Sequence, residues 1–196
     1  MSRWQPGARE RLRSAAVELF SEQGFAATTV PQITERAGLT TRTFFRYFAD
    51  KREVLFDYED ALAQARGLLA RAPAGLSTAE FLAWGLGLIA RERFAGRREE
   101  LRVIQALIDS DESLRERALR KRDMLHALIG GALQDRGLGE RQARLLAEAT
   151  ASAVYVALDQ WLGSDTDAGL DVLALEALAA LRGNLDGIDA VRQAGL

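Results

Sequence analysis

The chain has 196 residues, 48% of them hydrophobic and only three of them proline, so it is long enough to bury a core and poor in helix breakers. It contains no cysteine and a single histidine, which excludes disulfides, thiolate metal sites and cysteine nucleophiles. The formal net charge of −2 is too small for a protein that coats nucleic acid by charge alone, yet nine basic and six acidic side chains among residues 1–56 make the front of the chain positive and the remainder acidic.

The opening MSRWQPGARE lacks the apolar run of a signal peptide, and no uncharged apolar stretch of about 18 residues is present to span a bilayer. The expected location is the cytoplasm, with no membrane partner. Abundant Ala, Leu, Arg and Glu, with no strand-like alternation, predict an all-α protein.

The first predicted helix covers about Ala8 to Gln23, with Leu12, Ala15, Ala16, Leu19 and Phe20 on one apolar stripe. Arg9, Arg11 and Arg13 lie near its start, where the helix macrodipole disfavours cations. An external anion, phosphate being one candidate, is expected to meet them.

Thr28 to Lys51, TTVPQITERAGLTTRTFFRYFADK, predicts two short helices and a tight turn. Val30, Ile33 and Ala37 share a face, Thr29 is suited to cap the helix start, and Pro31 fits the first turn. Gly38 ends the helix because it can take a left-handed conformation without steric cost. Leu39 then points back into the core and Thr40 caps a second helix, Thr41 to Phe48, whose Phe44 and Phe48 fall four apart on an inner face. So short a helix must dock on its neighbours to persist. Its outer faces carry Thr41, Arg42, Thr43, Arg46 and Tyr47, hydroxylic and cationic groups suited to phosphates and to the O6 and N7 of guanine. Lys51 is expected at the sugar-phosphate backbone.

A fourth helix is expected directly after Lys51, with Asp50 as cap, Glu53 at its third position, and Val54, Leu55, Tyr58, Leu62 and Leu69 on one side. The RAPAGLS stretch at 71–77 breaks the chain. Ser77 and Glu80 make a capping-box pair for a fifth helix, Thr78 to Phe94. Gly85 and Gly87 inside it each cost about 1 kcal/mol relative to alanine, so close packing or cavity space is expected to compensate. Further helices are predicted at about Arg98 to Ile108, Glu112 to Asp135, Glu140 to Leu162 and Ala168 to Leu185, about nine in total. Asp109, Asp111 and Glu112 lack the glycine and distal glutamate of a calcium loop and read as helix capping; no metal is expected. Arg120, Lys121 and Arg122 read as a solvated face.

The last two long helices carry more apolar surface than one face can hold. Small residues such as Ala147, Ala151 and Ala157 would let backbones approach, and a symmetric four-helix contact between two chains answers the need. Ala147, Ala151, Val154, Leu158, Leu173, Leu178 and Leu181 are the expected contact residues.

From Arg9 to Leu55 the sequence resembles the DNA-binding domain of the TetR family of bacterial transcription regulators. The resemblance rests on ARERLRSAAVELFSEQGF, TTVPQITERAG and LTTRTFFRYFADKREVL, and within them on Gly24-Phe25, Thr28-Thr29-Val30, Ile33, Ala37-Gly38-Leu39-Thr40, Thr43, Phe48 and Lys51. It implies an N-terminal three-helix helix-turn-helix domain, residues 1–55, followed by a larger helical domain for ligand binding and dimerisation, residues 56–196. It implies a homodimer on a double-stranded DNA operator, with Thr29, Thr40, Thr41, Arg42, Thr43, Phe45, Arg46, Tyr47 and Lys51 at the DNA. Two positions depart from the family's usual pattern. Phe45 stands where tyrosine is common, leaving apolar contact in place of a hydroxyl, and Arg42 replaces a frequent glycine or proline, which favours guanine.

Members of that family commonly hold a small molecule among their C-terminal helices, and the pocket candidates here are Trp84, Ile104, Leu107, His126, Tyr155 and Gln160. The effector is unidentified, and no cofactor is implied. No nucleophile–base arrangement supports an enzyme: His126 has neither a cysteine to activate nor a second histidine with which to share a metal. The expected function is a ligand-responsive repressor; the alternative is a helical ligand-binding or scaffolding protein that has lost DNA binding.

Overall fold

A computed structural model describes residues 7–56, 58–165 and 168–193, with backbone alone at 58–62 and 182–193. Among the described residues there are nine helices and no strand. They are α1 (Ala8–Gln23), α2 (Val30–Arg36), α3 (Thr41–Tyr47), α4 (Tyr58–Leu69), α5 (Thr78–Phe94), α6 (Arg98–Ser110), α7 (Glu112–Asp135), α8 (Glu140–Gly163) and α9 (Leu170–Gln193). The protein is all-α, an N-terminal helix-turn-helix followed by a larger set of helices.

Two compact units are present. The first takes the described residues up to Glu59 together with Glu99–Lys121; the second takes Asp60–Arg98 and the described residues from Arg122 onward. α7 therefore contributes its first turns to one unit and the rest to the other.

The first unit is built on the stripe of α1: Leu12, Ala15, Ala16, Leu19 and Phe20 are all buried. Against them pack Ile33 of α2, Phe44 and Phe48 at α3, and Val54, Leu55 and Phe56 from the following turn. The same core takes Ile104, Leu107 and Ile108 of α6 and Leu114 of α7. Phe20 and Phe25 meet edge to face, centroids 5.0 Å apart. Three short helices alone bury little area, so the α6–α7 face supplies much of what holds them.

The fourth helix does not start after Lys51. Residues 51–55 form successive turns, with Glu53 N donating to Asp50 O (3.2 Å), Leu55 N to Arg52 O (3.1 Å) and Phe56 N to Glu53 O (3.0 Å). The capping bonds expected there do form: Asp50 Oδ1 accepts from Arg52 N and Glu53 N, and Glu53 Oε2 accepts from Ala49 N. They close a tight turn because burying Val54, Leu55 and Phe56 together needs three consecutive side chains on the core, which a continuing helix would spread around its axis. α4 begins at Tyr58; the side chains of Tyr58 and Leu62 lie outside the described residues.

In the second unit the predicted capping box opens α5: Glu80 N donates to Ser77 Oγ at 3.3 Å and Ser77 N to Glu80 Oε2 at 2.8 Å. Phe81 packs with Ile129 and Leu133 of α7 and with Ala143, Ala147 and Ala151 of α8. α9 packs on α8 and α5. Of the two glycines expected to mark close packing, Gly85 does so, since a Cβ there would stand 2.7 Å from Leu69 Cδ2, while a Cβ on Gly87 would meet only the Arg91 guanidinium, at 3.1 Å.

Candidate nucleic-acid interface

The helix-turn-helix is held by a chain of local bonds that its sequence specifies. Thr29 caps α2 by accepting from Gln32 N, while the Gln32 side chain accepts from Thr29 N at 2.8 Å. At the other end Leu39 N reaches back to Thr34 O (2.8 Å) and Gly38 N to Glu35 O (3.0 Å). This pairing requires a left-handed residue after the helix, and Gly38 supplies it with φ 62°. The Arg11 guanidinium donates to the carbonyls of Ala37 and Gly38, setting a cation at the negative end of α2.

α3 is anchored as its spacing predicts. Phe44 and Phe48 are buried, their rings 5.4 Å apart. Thr40 accepts from Thr43 N at 3.2 Å, and the two hydroxyls bond each other at 2.9 Å. The other side chains point away from the core: Thr41, Arg42, Phe45, Arg46 and Tyr47 are exposed, Phe45 by 56%. The Arg46 guanidinium lies 4.8 Å from the centre of the Tyr47 ring and donates to its hydroxyl at 3.0 Å, so these two side chains are paired. Arg42 has no protein partner among the described residues, leaving all five of its N–H donors free.

Lys51 has a different environment from the one expected of a phosphate contact. Its ammonium donates to the carbonyls of Phe25 (2.7 Å), Thr28 (2.8 Å) and Ala26 (3.3 Å) and sits 4.3 Å from the centre of the Phe25 ring. Three donors meet three acceptors. Burial lowers its pKa below the ordinary lysine value, and the nearby Asp111 carboxylate opposes that shift. The arginines of α1 likewise find internal partners in place of an external anion. Arg11 holds the end of α2, Arg13 pairs with Glu100 at 2.9 Å, and the Arg9 guanidinium stands 5.6 Å from the centre of the Phe48 ring. Of the acidic cluster Asp111 caps, its Oδ1 accepting from Ser113 N, Ser113 Oγ and Leu114 N at 2.9, 2.6 and 3.2 Å, whereas Asp109 lies in the last turn of α6 and accepts from Gln105 Nε2 at 2.9 Å. No group of residues fit to hold a metal ion occurs among the described residues.

The pocket candidates are not brought together. Ile104 and Leu107 belong to the core of the first unit, where the amphipathic face of α6 docks, and Gln160 is exposed. Trp84, His126 and Tyr155 are half-buried in the second unit. His126 Nδ1 lies 3.1 Å from Glu148 Oε2. The Arg122 guanidinium covers the Tyr155 ring at 4.3 Å, and burial, against that cation, pushes the Tyr155 phenol up to about 12.

Three of the expected dimer contacts are also core. Ala147, Ala151 and Leu173 are buried within the chain itself, because small residues on α8 admit its own neighbours. Val154, Leu158, Leu178 and Leu181 are half-buried. Among the described residues, the large apolar side chains of these helices that are exposed are Leu145, Leu146 and Val156 on α8 and Val172 and Leu175 on α9.

Residues 12–58 match the family described as bacterial regulatory proteins, tetR family. Over 48 residues the chain is 46% identical to the HTH-type transcriptional regulator HbdR of Aromatoleum sp. (strain CIB), a match covering 24% of this chain and 21% of HbdR. Over 154 residues it is 29% identical to the HTH-type transcriptional regulator YdeS of Bacillus subtilis (strain 168), covering 76% of this chain and 75% of YdeS. Its fold matches that of Thermus thermophilus FadR, a TetR family transcriptional repressor in complex with lauroyl-CoA. There the TM-score is 0.52 at 22% identity, covering 88% of this chain and 92% of FadR. The helix-turn-helix carries the strongest sequence likeness, and the helices beyond it share the fold. Residues 12–58 thus match the DNA-binding domain of the TetR family of bacterial regulatory proteins, and the chain as a whole shares the fold of such regulators.

Proposed function

We propose that the chain is a ligand-responsive transcriptional repressor that works in the cytoplasm and binds a palindromic DNA operator as a homodimer. Residues 1–55 read DNA, and residues 56–196 carry the effector site and the dimer contact. The observation that carries this reading is the outward face of α3, where Arg42 is exposed with no partner among the described residues while Phe44 and Phe48 fix the helix from behind. Arg42 binds guanine in the major groove. Thr41 and Thr43 set the register, Thr29 and Thr40 meet phosphates at the helix starts, Phe45 meets a thymine methyl, and the paired Arg46 and Tyr47 clamp one phosphate.

Dimerisation is supported by the apolar side chains of Leu145 and Val156 on α8 and Val172 and Leu175 on α9, which are exposed in the single chain. Twofold pairing of such a face would bury them and duplicate α3, as a palindromic site requires. The effector is a small molecule held in the second unit, with Trp84, His126 and Tyr155 as lining candidates. The complex of FadR with lauroyl-CoA gives one instance of a ligand held by this fold. A gel-shift with DNA from upstream of the protein's own gene tests the reading, followed by sequencing of the fragments the protein retains from its host genome. Retention of one inverted-repeat sequence is the expected result; no retained fragment overturns it in favour of a protein that has lost DNA binding.

A further inference from the structure

We propose that the ion pair between Glu53 and Arg117 is a positioning device for α3, through which the first turns of α7 set the aim of that helix and hence the affinity for operator DNA. The inference rests on the reading above that α3 contacts DNA. Its basis is the division of labour within one carboxylate. Glu53 Oε2 accepts from the backbone N–H of Ala49 at 3.0 Å, and Glu53 Oε1 accepts from the guanidinium of Arg117. Ala49 directly follows Phe48, the residue that closes α3. No flexible segment therefore separates this carboxylate from the helix.

α3 has seven residues and little capacity to hold its own direction, so whatever fixes its two ends fixes its outer face. Its start is tied to Thr40. Its end is tied to Glu53, and Glu53 to α7. The Glu53 and Arg117 side chains are exposed by only 30% and 23%, whereas the Arg120–Glu116 pair on α7 is exposed by 63% and 65%. A pair so sheltered is less screened by salt, and its geometry is set on one side by the packed turn that buries Val54, Leu55 and Phe56 and on the other by α7. Leu114, one turn before Arg117, is wholly buried in the core that contains Phe44 and Phe48. The first turns of α7 are thus seated on the same core, and Arg117 is the reference for Glu53.

The test uses the full chain and the operator fragment it retains. Glu53→Gln keeps an oxygen for Ala49 N–H but removes the charge that Arg117 meets; Arg117→Gln removes the other half; Arg117→Lys restores a cation. Operator dissociation constants are measured by fluorescence anisotropy, and amide exchange is followed at Phe48 and Ala49 without DNA. Glu53→Gln and Arg117→Gln should each weaken operator binding by about threefold to tenfold, and the double variant should lose no more than the worse single one. Both should speed exchange at Ala49, and Arg117→Lys should recover most of both effects. Losses that multiply in the double variant, or wild-type exchange and affinity in the singles, overturn the proposal. A wild-type protein that retains no DNA, yet shows the exchange coupling, overturns the DNA reading instead, and the two failures are told apart by that exchange.

Discussion

The ammonium of Lys51 donates to the carbonyl oxygen of Thr28 at 2.8 Å, so the turn after α3 is tied to the residue just before the cap of α2. With Phe25 and Ala26 as its other acceptors, Lys51 closes the helix-turn-helix from behind. Lys51→Ala should lower stability by about 1–2 kcal/mol, the range for losing hydrogen bonds to a charged group that is only partly sheltered. Its slope of log affinity against log salt should match that of wild type. A slope flattened by about one unit would mean that Lys51 leaves its carbonyls for a phosphate when DNA is bound.

Arg42 presents the opposite situation, a guanidinium on the outer face with nothing among the described residues to hold it. Arg42→Ala should cost about 1–3 kcal/mol at one base position and relax specificity there, leaving stability unchanged. Arg46→Ala should weaken binding evenly across sequences if Arg46, bonded to the Tyr47 hydroxyl, meets phosphate as proposed. Affinities on operators substituted base by base separate the two. Equal losses for both variants on every sequence would refute this assignment.

How much of this was legible in the sequence follows the range of the forces involved. The caps at Thr29, Thr40 and Ser77, the stop at Gly38 and the buried Phe44–Phe48 pair rest on bonds spanning a few residues, and the sequence states them directly. Glu53 and Arg117, or Lys51 and the carbonyls of residues 25–28, are far apart in the chain. Such pairs leave no periodic signal, so Lys51 reads from sequence as a free cation. The docking of α6 on the helix-turn-helix was hidden for the same reason: Ile104 and Leu107 mark an apolar face without naming the surface it covers. Ala147 and Ala151 show the converse error, since a small residue permits close approach without specifying whether the approaching backbone belongs to the same chain.

Leu114 lies in the first turn of α7 and is fully buried among residues of α1, α3 and α6. Leu114→Ala should destabilise the protein by about 2–5 kcal/mol, through lost burial and the cavity left behind. Because the core it leaves is the one that seats Phe44 and Phe48, operator affinity should fall along with stability. Chemical unfolding followed by circular dichroism gives the first quantity and anisotropy at low temperature the second. An unchanged unfolding midpoint would mean that the helix-turn-helix does not depend on this helix for its core.

Asp111 caps α7 with a carboxyl held below the usual aspartate range, first by the Ser113 hydroxyl, against the effect of burial, and then by the Leu114 and Ser113 N–H groups and the Lys51 ammonium. A carboxyl whose pKa is lowered on folding gives stability that is complete above its unfolded value of about 4 and is lost as pH falls through the lower folded value. Asp111→Asn keeps an oxygen for the cap but removes the charge. The difference in unfolding midpoint between wild type and this variant should therefore be constant above about pH 5 and shrink below about pH 4. Urea unfolding from neutral pH downward measures it. A difference that persists unchanged into acid would assign the cap to hydrogen bonding alone, with no contribution from the charge that Asp111 shares with Lys51.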